Sequence, residues 1–128
     1  MSQSAVPRAV APDTFVTGED LSLANHRFLA VSADNTVMRA TGPTSKVIGV
    51  QDDKPFAATG VQAGIRLLAG PTLLEAGAAF AAGAFITSDS VGRGVTATTG
   101  QKFFAIATKP ATAVGDYVAV VMIEGVAP

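Results

Sequence analysis

The 128-residue chain has no cysteine, no tryptophan, one histidine and one tyrosine. Without thiols, disulfides, thiolate nucleophiles and thiolate metal sites drop out of consideration together. One imidazole, His26, has no second histidine with which to share a metal, so it reads as a surface residue. Charge of one sign is also missing. Nine Lys and Arg stand against ten Asp and Glu, for a formal net charge of −1, and no two cations are adjacent. A protein that neutralises phosphates needs a basic excess or stripe, so nucleic acid is not an expected partner. Nor is there a long apolar run. The longest, Tyr117 to Ile123, falls far short of the ~20 residues of a spanning helix, so the chain is expected to be soluble, with no membrane partner.

The motifs of catalysis are absent too. No Gly-x-Ser-x-Gly elbow occurs, and Ser88 and Ser90 flank Asp89 in what reads as a loop. Asp52 and Asp53 are adjacent, so on an extended backbone they point to opposite faces; they read as a solvated turn before Pro55 rather than a carboxylate dyad. Gly42-Pro43-Thr44-Ser45-Lys46 lacks the second glycine of a phosphate loop. The expectation is a protein that is not an enzyme, with no cofactor, no metal and no catalytic residues.

What is present is small and β-branched. Ala, Val, Gly and Thr make up about half the chain, and seven Phe are the only large core fillers in number. From Gly42 onward, glycines recur too closely for helices of ordinary length, which lose about 1 kcal/mol per interior glycine. The intervening segments, 46–48, 65–68, 84–87, 95–98, 103–108 and 117–123, are rich in Val, Ile, Thr and Phe. Arg27 to Val31, then Ala33-Asp34-Asn35-Thr36, then Val37 to Arg39 reads as strand, turn, strand. The fold class is mainly β: a small antiparallel barrel or sandwich of short glycine-bounded strands, with at most one short helix, at 20–24 or within 73–82. The pattern small/apolar–Gly–x–x–apolar occurs at Ala63-Gly64, Ala82-Gly83 and Val114-Gly115 and reads as a turn device.

The organisation expected is a single β-rich domain over 19–128 preceded by an extended N-terminal arm over 1–18. The arm holds Pro7 and Pro12 and is poor in bulky side chains. Phe15 and Val16 are its best anchors, a candidate docking site for a neighbouring subunit or a larger assembly.

Val47-Ile48-Gly49-Val50, Ala63-Gly64-Ile65-Arg66-Leu67, Glu75-Ala76-Gly77-Ala78-Ala79, the run Ala82 to Arg93, and Val114-Gly115-Asp116-Tyr117-Val118-Ala119-Val120 follow one another in an order that resembles the tailed-phage capsid decoration, or cement, proteins. The resemblance covers roughly Phe28 to Ile123. Some members of that family have carried a phage recombinase label, against which the missing phosphate loop and basic stripe argue. The resemblance implies a structural virion protein, often a homotrimer, assembled in the host cytoplasm and seated on the capsid exterior. There it would bind the major capsid protein at junctions between hexamers and hold the expanded shell. It brings no catalytic residues and no mapped capsid contacts. Two other classes remain: a ligand- or carbohydrate-binding β-domain of a tail or surface protein, and a lipoyl- or biotinyl-type carrier, for which Asp53-Lys54-Pro55 comes nearest to the required lysine context.

Overall fold

A computed structural model describes residues 15–53, 57–67 and 70–128, all-β with no helix among them. Ten strands form. The first five are β1 (Phe15–Thr17), β2 (Phe28–Ala33), β3 (Thr36–Arg39), β4 (Val47–Asp53) and β5 (Gln62–Leu67). They close into a barrel in the order β1-β3-β2-β4-β5, with β5 returning antiparallel to β1 and β1 lying parallel to β3. The second five are β6 (Gly70–Glu75), β7 (Phe85–Ser88), β8 (Gly94–Thr96), β9 (Lys102–Ala107) and β10 (Tyr117–Val126), in the order β6-β10-β9-β7-β8.

Read around the closed barrel in the opposite sense, β1-β5-β4-β2-β3, the first order is the same as the second. Reading β6 to β10 in the places of β1 to β5, every antiparallel pair of the barrel recurs in the sheet. The parallel seam recurs as well: Thr17 pairs with Val37 in the barrel, and Ala76 makes a parallel bridge to Gly94 in the sheet. The register matches residue by residue. Leu29 faces Arg39 and Gly49 as Ile86 faces Thr96 and Ala105. Loop hydrogen bonds follow suit. Gly18 N donates to Val37 O at 2.8 Å and Gly77 N to Gly94 O at 2.7 Å; Gly60 N donates to Thr17 O at 2.7 Å and Gly115 N to Ala76 O at 2.8 Å. The chain is one five-stranded unit built twice, the second curled almost into a barrel.

The interiors correspond in place but not in size. The first unit's interior gathers Leu21, Ala24, Leu29, Val37 and Ala63, with Phe15, Ile48 and Ile65 against them. The matched positions of the second unit hold Phe80 for Leu21, Phe104 for Ile48 and Val118 for Ala63, all buried. Larger side chains need room, and Gly94, standing where the first unit has Val37, supplies it. A Cβ there would lie 2.5 Å from Leu74 Cδ2 and 2.8 Å from Ile86 Cγ2.

The units are joined through the second seam. In the first, Val16 N donates to Asn35 O at 2.9 Å, closing β1 on β3. In the second, the backbone of His26–Phe28 enters between β6 and β8: Glu75 N donates to His26 O at 2.7 Å, and Phe28 N donates to Gly92 O at 2.8 Å. Arg27 adds an ion pair to Glu75 at 3.1 Å. Phe28 therefore points out of its own barrel and into its neighbour, where its ring meets Phe104 edge-on at 5.6 Å. One core cluster runs across both units, from Phe28, Ala30 and Val50 to Leu74, Ile86, Phe104 and Val120.

Several sequence expectations need adjusting. Residues 20–24 and the stretch after Glu75 turn rather than coil into helix, and Leu73 belongs to β6. Asp52 and Asp53 close β4 instead of sitting in a turn. Of the three glycine turn devices, Gly83 (φ 87°) and Gly115 (φ 92°) have the positive φ a turn demands, whereas Gly64 is a strand residue of β5.

Candidate interaction surface

Phe15 and Val16, expected as anchors of an extended arm, form β1 with Thr17. They are extended but bonded into this chain's own barrel: Phe15 pairs with Ala63 of β5, and Val16 with Gln62 of β5 and Thr36 of β3. Phe15 is half-buried against the first unit's interior, so its apolar surface is largely spent within its own fold. The rest of the expected arm, residues 1–14, lies outside the described residues, as does Lys54 of the carrier reading.

The titratable groups serve the turns that hold the strands. Asp89 Oδ1 accepts from Val91 N at 2.9 Å and Arg93 N at 2.8 Å, while its Oδ2 pairs with Arg93 Nε at 3.1 Å. Asp116 Oδ2 accepts from Thr112 N and Oγ1, each at 2.9 Å, and from Ala113 N at 3.2 Å. Those bonds hold the Asp116 carboxyl below its ordinary pKa. Glu19 takes the backbone N, Nε and Nη2 of Arg39. Burial works to raise its pKa, but the hydrogen bonds and charge of Arg39 together outweigh burial and lower it. Ser88, beside Asp89, is the buried end of β7, and its hydroxyl donates to Asp89 O at 2.8 Å. None of this is nucleophile–base geometry. Among the described residues no three His, Asp or Glu side chains gather as metal ligands.

His26 is not the surface residue expected. It has φ 63°, matches Gly83 of the second unit (φ 87°), is half-buried, and meets the Tyr117 ring edge-on at 5.0 Å. Its Nδ1, together with Asn25 Oδ1 and Gln51 Oε1, is buried with no protein hydrogen-bond partner. Gln51 is committed on its other side, donating from Nε2 to Leu21 O at 2.8 Å. The strained histidine therefore belongs to the joint between the units.

An open cavity of about 190 Å³ beside β2 and β3, touched by Val31, Met38, Thr41 and Lys46, is smaller than the roughly 300–1,000 Å³ of typical small-molecule sites. The larger feature is a face. Along β10, Val118, Val120 and Met122 point inward, while Tyr117, Ala119, Val121 and Ile123 point outward. Tyr117 is 59% exposed, Ile123 48% and Val121 36%. Beside Val121 and Ala119, β6 presents Pro71 and Leu73, the latter 44% exposed. On the other side Val121 pairs with Ile106 of β9, and Ile106 with Phe85 of β7, both half-buried. An apolar surface thus runs across four strands. Periodicity alone marked 117–123 as a strand, but not which of its two faces lacked a cover. No protein-family model and no curated protein matches this chain.

Proposed function

We propose that this chain is a structural protein acting through surface contact, a decoration or cement protein that binds the outer surface of a phage capsid and stabilises the expanded shell. The observation that carries the reading is the combination of a doubled all-β frame with an apolar face that runs across four strands. The sequence resemblance to the cement proteins supplies the partner, the major capsid protein, and the virion exterior as the location. Asp89 and Asp116 hold turns and Glu19 clamps the end of β3, which suits a body meant to keep its shape on a lattice.

The test is direct. Purified protein is mixed with expanded, undecorated capsids, and binding is followed by sedimentation. Saturable binding at a fixed ratio to the major capsid protein, with a higher temperature of capsid disruption, is the expected result; absence of binding to several such capsids would discard it. The competing reading, a carbohydrate-binding domain, has one point in its favour: Tyr117 presents its ring at the surface. Binding to a glycan panel that Tyr117→Ala abolishes would favour that reading.

A further inference from the structure

Matched positions of the two units share a backbone, so they show which side-chain features the fold itself requires. Three residues before the matched pair Gly49 and Ala105, each unit carries a lysine, Lys46 in the first and Lys102 in the second. The turn ahead of the lysine is held alike in both: Ser45 Oγ accepts from Thr41 N and Gln101 Oε1 from Thr98 N, each at 2.9 Å. The two lysines then differ. Lys102 pairs with Glu124 at 3.1 Å, whereas the Lys46 ammonium meets no carboxylate among the described residues. Arg27, Arg39, Arg66 and Arg93 all have carboxylate partners. Of the other described cations only Lys109 is also unpaired.

Lys46 lines the open cavity of about 190 Å³ beside β2 and β3, to which Ala30, Val31 and Met38 give an apolar part and Thr41 and Ser45 add hydroxyls. The matched place in the second unit is closed. Val31 pairs with Val37 as Ser88 pairs with Gly94, yet Ser88 is buried with its neighbour Thr87 while Val31 is 38% exposed. The opening and the unpaired lysine are therefore not demanded by the frame. The donors define what fits. Thr41 Oγ1 and Ser45 Oγ lie 3.2 Å apart, so one hydroxyl proton is spent between them and the other is left to donate. Lys46 brings N–H donors and a positive charge, while Arg39, the other cation at the cavity, is already neutralised by Glu19 at 3.1 Å. One net positive charge beside an aliphatic lining suits a monoanion with an apolar stem; a phosphate has no stem to cover Val31 and Met38. At about 30 Å³ per water-sized group, the space takes on the order of six non-hydrogen atoms. We propose that this cavity binds a carboxylate carried on a short aliphatic stem, with Lys46 as its counter-ion. Such a carboxylate comes as a free short-chain acid or as the glutamate side chain of a protein.

The experiment uses the full chain without capsids, so its failure and that of the capsid reading are separable. The methionine methyl groups are isotopically labelled for magnetic resonance. Met38 lines the cavity, and Met122, buried in the second unit, is the internal reference. At constant ionic strength, butyrate should shift the Met38 resonance saturably, with a dissociation constant on the order of millimolar, and leave Met122 in place. Butyramide, of the same shape but uncharged, should bind at least about tenfold more weakly. Lys46→Gln should weaken butyrate to the same degree, with an unchanged circular dichroism spectrum. N-acetylglutamate α-amide is the second probe. Tighter binding than butyrate assigns the carboxylate to a protein side chain, weaker binding assigns it to a free acid, and either supports the site. No Met38 shift with either probe, an equal affinity for butyramide, or an equal affinity in folded Lys46→Gln overturns the proposal. Should the variant not fold, the comparison of butyrate with butyramide on the wild type decides alone.

Discussion

Gly94 shows how far one residue can differ between two copies of a frame. Its counterpart Val37 is fully buried in the first unit, yet a Cβ at Gly94 would collide with Leu74 and Ile86. Gly94→Val should therefore cost about 1–3 kcal/mol of stability, read as a lower denaturation midpoint, although the same residue fits the matched site. An unchanged midpoint would mean that the second interior has slack the packing does not show. Charge enters at the same scale. Glu19 and Asp116 both have pKa values lowered in the fold, so the unfolded chain binds their protons more readily. Their contribution is complete above the ordinary carboxylate range and is lost as pH falls below about 4. The melting temperature should drop along that limb, and Glu19→Gln or Asp116→Asn should flatten it. The sequence did not single out these carboxylates: the partner of Glu19 lies across a strand, and Asp116 caps a turn visible only once Thr112 and Ala113 are placed.

At the scale of the element, β1 is the strand that composition concealed. Three residues are too few for alternation to register, and prolines upstream made the segment read as part of an arm. The other concealed strand, β6, begins Gly-Pro and runs into an alanine-rich stretch, a pattern that favours a turn or a helical start when read locally. Both are recruited by pairing with β5 and β10, contacts distant in sequence. Strands such as β3, β7, β9 and β10 were legible because glycine or Asn turns bound them and β-branched or aromatic residues fill them. The role of β1 leads to a prediction. Val16→Pro removes the N–H that Asn35 O accepts at 2.9 Å and interrupts the parallel seam. The first barrel should open, with a loss of about 1–3 kcal/mol from the broken pairing and faster amide exchange in β3 and β5. Phe15→Ala should also destabilise the isolated protein, because the ring packs on Leu21, Leu29 and their neighbours as well as on any partner. If both variants melt like the wild type, β1 contributes nothing to closure.

For the whole molecule, the duplication is the feature least legible in the sequence, because the matched positions share geometry rather than side chains. Phe28 and Phe85 agree, as do Gly60 and Gly115, but Val37 is matched by Gly94, His26 by Gly83 and Arg66 by Val121. A turn that needs positive φ can be built from glycine or, at a strain, from histidine, so the repeat survives while its letters diverge. The divergence has a thermodynamic consequence. The second seam is completed by His26–Phe28 of the first unit, and the shared core passes through Phe28 and Phe104, so the second unit does not close without the first, and the first buries its outward Phe28 and Val50 only against the second. Two units so joined should unfold as one. Calorimetry is expected to give a single transition whose calorimetric and van't Hoff enthalpies agree, and Tyr117 fluorescence, reporting on the second unit, should follow the same curve as the far-ultraviolet signal of all ten strands. Phe28→Ala should lower that one transition by about 3–5 kcal/mol without splitting it, since the ring is fully buried between the units. Two separated transitions, with Tyr117 reporting only one of them, would mean that Phe28 adds nothing to the coupling and that each unit is stable alone.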